Sequence, residues 1–233
     1  MSSPVFPPLL SGRATSVPFD DAQTEACAGC DAGLILYDLA PNTLSAAIIF
    51  APEVALERAM AMLPLCAVGF HNALGALAPP EIALHLDWSG GVRLNGASCG
   101  GFRIAASTKD PQAIPDWLVI GLTIPLWPDD QTTDHNPGET PDQTTLYAEG
   151  CSDVDPVTLL EAWARHTLVW LNRWEDEGGA PLHREWSGLG PAKDDPVPGY
   201  AGTFLGLDEN FGLLLQESDN TALIPLTDLL EAL

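Results

Sequence analysis

Two apolar runs, "GLILYDL" (33–39) and "TLSAAIIF" (43–50), are separated only by "APN" (40–42). Parallel strands need a long crossover between them, so a link this short forces an antiparallel hairpin. The hairpin commits the chain to a sheet built at least partly from antiparallel neighbours. More strand signals follow. "EIALHLDW" (81–88) alternates, which puts Ile82, Leu84, Leu86 and Trp88 on one face. "VRL" and "GFRIAAS" continue as a meander, and Asn95-Gly96 suits a type I′ turn, where both positions need positive φ. "DWLVIGLTIPLW" (116–127) is apolar enough to be a central strand.

Helical spacing appears twice at length. Residues 52–77 have it, with Pro64 expected to end one helix before a second begins. "DPVTLLEAWARHTLVWLNRWEDEGG" (155–179) is the clearest helix: Asp155 is a good N-cap, Pro156 fits the first turn, and Gly178-Gly179 ends it. Leu160, Trp163, Thr167, Trp170 and Trp174 form its stripe, which reads as core packing. Residues 1–18 read as an arm, 20–28 as a short helix capped by Asp20 or Asp21, and 128–145 as a long mobile acidic loop. Residues 190–199 have the composition of a linker, and three short strands follow it. The expected fold is therefore α+β, a mixed, mostly antiparallel sheet with helices packed on it. Its domains are 1–189 and a small β unit at 200–233.

Charge narrows the partners. The chain has 32 acidic and 9 basic residues, a net of −23. Such a field repels nucleic acid and anionic membrane, because phosphate binding needs clustered Lys and Arg. No apolar stretch free of proline and charge reaches the roughly 18 residues of a membrane span, and no basic start precedes a long apolar run. The five cysteines, Cys27, Cys30, Cys66, Cys99 and Cys151, are odd in number and irregular in spacing, which argues against a disulfide framework. "CAGC" (27–30) has the spacing of a zinc half-site or redox pair but no second pair to complete it. A reducing cytoplasm is the expected location.

Standard catalytic patterns are missing. There is no GxSxG, no GxxxxGK[ST], no HExxH and no Rossmann glycine run after a strand. His71, His85, His135, His166 and His183 show no metal-ligand spacing, and no metal site is expected. Carboxylates are so abundant that spacing singles out no acid–base pair. The candidate site is instead the stretch "HLDWSGGVRLNGASCGG" (85–101), where two tight turns bring backbone close to something. Ligand-lining candidates are Trp88, Gly90, Arg93, Asn95, Gly96, Gly100 and, on the next strand, Gly121. Cys99, beside the glycine turn, is the one candidate nucleophile, able as a thiolate to carry an acyl group.

The order of elements and four landmarks resemble the biotin/lipoate protein ligase family. "LHLDWSGGVRLNGASCGGFRI" is similar to that family's KWPND strand and the hairpin leading to its KLxGIL pattern, with Trp88 on the tryptophan and Gly100 on the glycine. "DWLVIGLTIPL" resembles the family's "VVIGIGINV" strand, with Gly121 on its first glycine. The helix at 156–177 followed by "APLHREW" is similar to the family's late helix and "YLxxW" continuation, with Trp186 on the tryptophan. "GTFLGLDENFGLLLQE" resembles the SH3-like C-terminal domain of biotin protein ligases. The resemblance covers roughly residues 20–233.

Membership implies an acyl-adenylate made from ATP and biotin or lipoate, then transfer of the acyl group to a lysine on a carrier protein. The family neutralises the phosphates with a Gly- and Arg-rich loop between two early strands and with one lysine in each pattern. This chain departs at each place. The early strands are joined by a short turn, Asp87 stands where the first lysine belongs, and Ala97 where the second does. Lys109 and Lys193 match neither position; Arg93 and Arg103 flank the site. Losing cations that act as a unit removes nearly all adenylation.

Three readings follow, and the residues favour the first. In it, the chain keeps the fold and a pocket for a small acyl-like molecule or a carrier protein, without ATP-dependent activation. In the second it is an active biotin or lipoate ligase, or an acyltransferase working through Cys99. In the third it is an interaction module whose acidic face and β unit bind a basic partner or a second copy in a homodimer.

Overall fold

The computed structural model describes residues 3–128, 142–218 and 220–231. Its main body is a seven-stranded sheet in the order β1-β2-β3-β7-β6-β5-β4. The strands are β1 (Ser11–Ala14), β2 (Leu34–Ala40), β3 (Thr43–Phe50), β4 (Leu84–Leu86), β5 (Gly91–Leu94), β6 (Ala97–Ala106) and β7 (Leu118–Pro125). Every pair is antiparallel except β1 with β2. The hairpin expected from "APN" is present: Ala40 pairs with Thr43 across a two-residue turn. β7 lies at the centre, between β3 and β6.

Alternation along the strands supplies both faces. Ile35, Ile48, Ile104 and Ile120 face one core, shared with α3 (Met62–Leu77) and α4 (Pro156–Glu177). Leu36, Ala47, Ala105 and Val119 face a smaller core with Phe19, Ala22 and Ala26 of α1 (Pro18–Cys27). Asp155 caps α4 as expected, accepting from the Thr158 amide at 2.9 Å, and Gly178 leaves it at φ 77°. The Trp163 indole donates to the Cys66 carbonyl at 3.0 Å, tying α4 to α3 through the buried stripe. The apolar stretch Leu56–Leu77 is long enough to cross a membrane, but it is mostly buried inside the fold.

Three local expectations need correction. The arm contains a strand, β1, which lies in parallel register on β2. α1 starts at Pro18 rather than after an aspartate cap, with Asp20 and Asp21 inside its first turn, where carboxylates suit the helix dipole. Pro64 does not end a helix: α2 (Leu56–Ala59) stops earlier, and Pro64 sits in the first turn of α3, where a missing N–H costs no helical bond. A separate helix, α5 (Ala180–Leu189), follows α4. Most of the expected 128–145 loop, with His135, lies outside the described residues. Its far end returns to β6, where the Ser98 amide donates to the Asp142 carbonyl at 2.8 Å.

The C-terminal unit is an antiparallel sheet of β8 (Thr203–Leu207), β9 (Leu213–Glu217) and β10 (Asn220–Ile224), followed by a 3-10 turn at Leu226–Leu229. This shape is compatible with the expected SH3-like unit. Phe204, Leu213 and Leu215 join the main core, so the unit is docked on the larger body.

Candidate functional site

The sheet face under α1 is only partly covered. One row across it runs Leu36, Ala47, Gly121, Arg103, and the next runs Asp38, Ser45, Thr123, Gly101. Small residues on otherwise apolar strands leave a cleft of about 200 Å3 between these rows and the start of α1. Ser16, Asp20, Ser45 and Thr123 supply its polar lining. Phe19 lies directly over Gly121: a Cβ there would come within 2.5 Å of the ring, so glycine is what admits the phenylalanine.

Arg103 is the one basic residue lining the cleft among the described residues. Its Nε and Nη2 donate to the two carboxylate oxygens of Glu231, both at 2.6 Å. Its guanidinium also stacks 4.3 Å from the centre of the Phe19 ring. The Glu231 bond is the main reason the guanidinium is held even more firmly in its charged form. The Glu231 amide donates to the Ile104 carbonyl at 3.0 Å, which fixes the tail beside β6. The first turn of α1 offers no free positive end, since Asp20 and Asp21 already occupy it.

The stretch 85–101 lies apart from this cleft. Trp88 is 2% exposed, its indole donates to the Phe211 carbonyl at 2.8 Å, and its ring stands edge-on to Tyr200. It fastens the C-terminal unit and does not line the cleft under α1. Gly90 (φ 91°) turns the chain between β4 and β5, with its amide donating to the Asp87 carbonyl at 2.9 Å. Arg93 donates to Asp87 at 2.8 Å and to the Gly96 carbonyl at 3.2 Å, so the reversed charge at Asp87 is neutralised locally. Asn95 and Gly96 (φ 50° and 93°) make the expected turn, and the Asn95 amide is spent on the Ala83 backbone and Glu149. Gly100 (φ 79°) marks an irregularity in β6 where a Cβ would lie 2.0 Å from the Thr123 carbonyl oxygen. Of the seven lining candidates, Gly121 alone borders the cleft.

Cys99, the candidate nucleophile, lies away from this cleft. It is fully buried on the helix-layer side of the sheet, and burial, with help from Glu149, pushes its thiol up to about 12. A thiol there is protonated at neutral pH and faces away from the cleft. The residues that do form the cleft had a faint signal in the sequence: Ser45 on β3, and Gly121 and Thr123 at period two on β7, are small residues on otherwise apolar strands.

The family model for the biotin/lipoate A/B protein ligase family matches residues 6–188. The chain belongs to that family. A second model, a domain of unknown function (DUF4444), matches residues 196–232. A biotin protein ligase-like protein of unknown function from Silicibacter sp. TM1040 is 54% identical, with TM-score 0.91 over 99% of this chain and 100% of that one. Biotin protein ligase from Aquifex aeolicus shares the fold at 16% identity, with TM-score 0.71 over 92% of this chain and 95% of that one. The Leishmania major ligase in complex with biotinyl-5-AMP superposes at TM-score 0.55 and 17% identity, covering 97% of this chain and 100% of that one. No curated protein matches the chain. Within this ligase family, the chain places a two-residue turn, Pro41-Asn42, where the resemblance calls for a Gly- and Arg-rich loop.

Proposed function

We propose that this chain is a family member that holds a small acyl-like or ring-shaped molecule in the cleft under α1 and does not activate it with ATP. The supporting observation is the state of Arg103. Adenylation needs fixed positive groups free to meet a triphosphate and the charge that develops on it. Here the cleft's one described cation is already committed to Glu231 through two bonds of 2.6 Å. The carboxylates of Asp20 and Glu231 nearby oppose a further anion. The cleft's volume of about 200 Å3 suits a compact ligand. In the same reading, residues 1–189 form the ligand-holding domain and 200–233 a small domain that clasps it through Trp88 and Glu231.

Calorimetry with Mg-ATP, paired with an ATP–pyrophosphate exchange assay in the presence of biotin or lipoate, tests this. The expected result is no Mg-dependent ATP binding and no exchange. Tight Mg-dependent binding restores the ligase reading.

A further inference from the structure

The carboxylate on Arg103 comes from the far end of the chain. The other described ion pairs, Arg13 with Glu25, Arg93 with Asp87, Arg165 with Glu161 and Arg173 with Glu177, join residues close in sequence. Arg103 and Glu231 lie 128 positions apart, and theirs is the described ion pair that links the C-terminal unit to the cleft under α1. The pair is not a brace. Its two side chains are 50% and 36% exposed, and ion pairs this wet contribute little to stability. The tail has its own anchors: Leu230 is buried in the main core, and the Glu231 amide donates to the Ile104 carbonyl at 3.0 Å.

The consequence falls on the guanidinium. Glu231 takes Nε and Nη2 together, the forked edge that best matches a carboxylate. The Phe19 ring stacks on one face of the same group. An acid entering the cleft therefore meets a cation whose matching edge is filled. It also meets Asp20, a carboxylate of the cleft lining, while the charges of Arg103 and Glu231 cancel beside it. The rest of the polar lining is Ser16, Ser45 and Thr123. Their hydroxyls can donate to an amide or ester carbonyl and accept from an amide N–H, with no charge left over.

We infer that Glu231 sets the charge specificity of this cleft: by occupying Arg103, it makes the site accept the uncharged amide or ester of a small ring acid and reject the free acid. Rejection works by leaving the acid's charge without a partner, so Glu231 need not touch the ligand. The C-terminal unit thereby supplies a specificity-determining residue to a cleft built by the main sheet and α1. This role rests on the cleft being a ligand site, as proposed above.

The test is calorimetry on the full chain with benzamide and benzoate. The parent protein is expected to bind benzamide about tenfold more tightly than benzoate, and Glu231→Gln to bring the two close to equality by strengthening benzoate alone. Asp20→Asn removes the same charge but leaves the guanidinium paired, and it is expected to move the ratio less. The melting temperature of Glu231→Gln is expected to stay close to that of the parent. A parent that binds benzoate as tightly as benzamide overturns the inference. So does a ratio unchanged by Glu231→Gln, or moved as far by Asp20→Asn. Labelling of Arg103 by 2,3-butanedione, read by peptide mass spectrometry, needs no ligand. It is expected to be faster in Glu231→Gln, near the rate of the exposed Arg184, and equal rates in parent and variant also overturn the inference. Binding of neither compound to any form, with labelling faster in the variant, counts against the cleft as a ligand site and leaves the blocked guanidinium standing.

Discussion

Replacing Trp88 by phenylalanine separates a fastening residue from a ligand-lining one. The indole N–H donates to the Phe211 carbonyl at 2.8 Å, and both residues are 2% exposed. Phenylalanine removes the donor and strands a buried carbonyl, which costs about 1–3 kcal/mol. The lost half of the ring also leaves a gap against Tyr200, for about 1 kcal/mol more. The sum, about 2–4 kcal/mol, corresponds to a Tm lower by about 4–16 °C in a chain of this size. Urea denaturation gives the free energy, and limited proteolysis of residues 190–199 shows whether the C-terminal unit has loosened. A change under about 0.5 kcal/mol refutes the fastening role. Unchanged stability with weakened ligand binding returns Trp88 to the pocket wall.

Two other outcomes follow from burial. Alkylation with iodoacetamide near neutral pH is expected to label the exposed Cys27 first, with Cys30 slower because burial and Glu25 raise its pKa; peptide mass spectrometry should find Cys66, Cys99 and Cys151 unmodified in the folded protein. Stability is expected to fall on acidification below about pH 6.5, because burial lowers the pKa of His71 and of His166. The folded state then binds fewer protons than the unfolded one, so this contribution is complete above the ordinary histidine value and is lost as pH falls toward the folded one. For His71, nearby Glu185 offsets part of the effect and His85 adds to it. Urea midpoints for the unaltered protein and for His71→Gln on either side of that value check the sign, and a variant with the same pH slope as the parent removes His71 from the account.

The sequence made the architecture readable because period and connection length are local properties. The hairpin at 40–43 and the capped helix at 156–177 each needed only a few adjacent residues to be read. The cleft was harder. Gly121 was found through its place in a strand resembling the family's, but its neighbours Phe19, Ser45, Arg103 and Glu231 are brought together only by sheet register and by a tail 128 residues further on. Trp88 is hard to read for a related reason. A tryptophan next to tight turns reads equally well as a wall or a fastener, and its partner Phe211 is 123 residues away. Cys99 depended on strand phase: one residue of shift at Gly100 decides which face a side chain joins.

The tail contact at Glu231 also bears on the order of assembly. The pairing of β5 with β6 stops at Gly101, and further along β6 the Glu231 amide donates to the Ile104 carbonyl. On a ribosome, Arg103 emerges 128 residues before its partner. During that interval this part of β6 presents open backbone groups and an unpaired guanidinium to other nascent chains. Unpaired strand edges of this kind are where misassociation begins. A strand edge that waits this long for its cover should therefore make the chain depend more on chaperones than its folded stability would suggest.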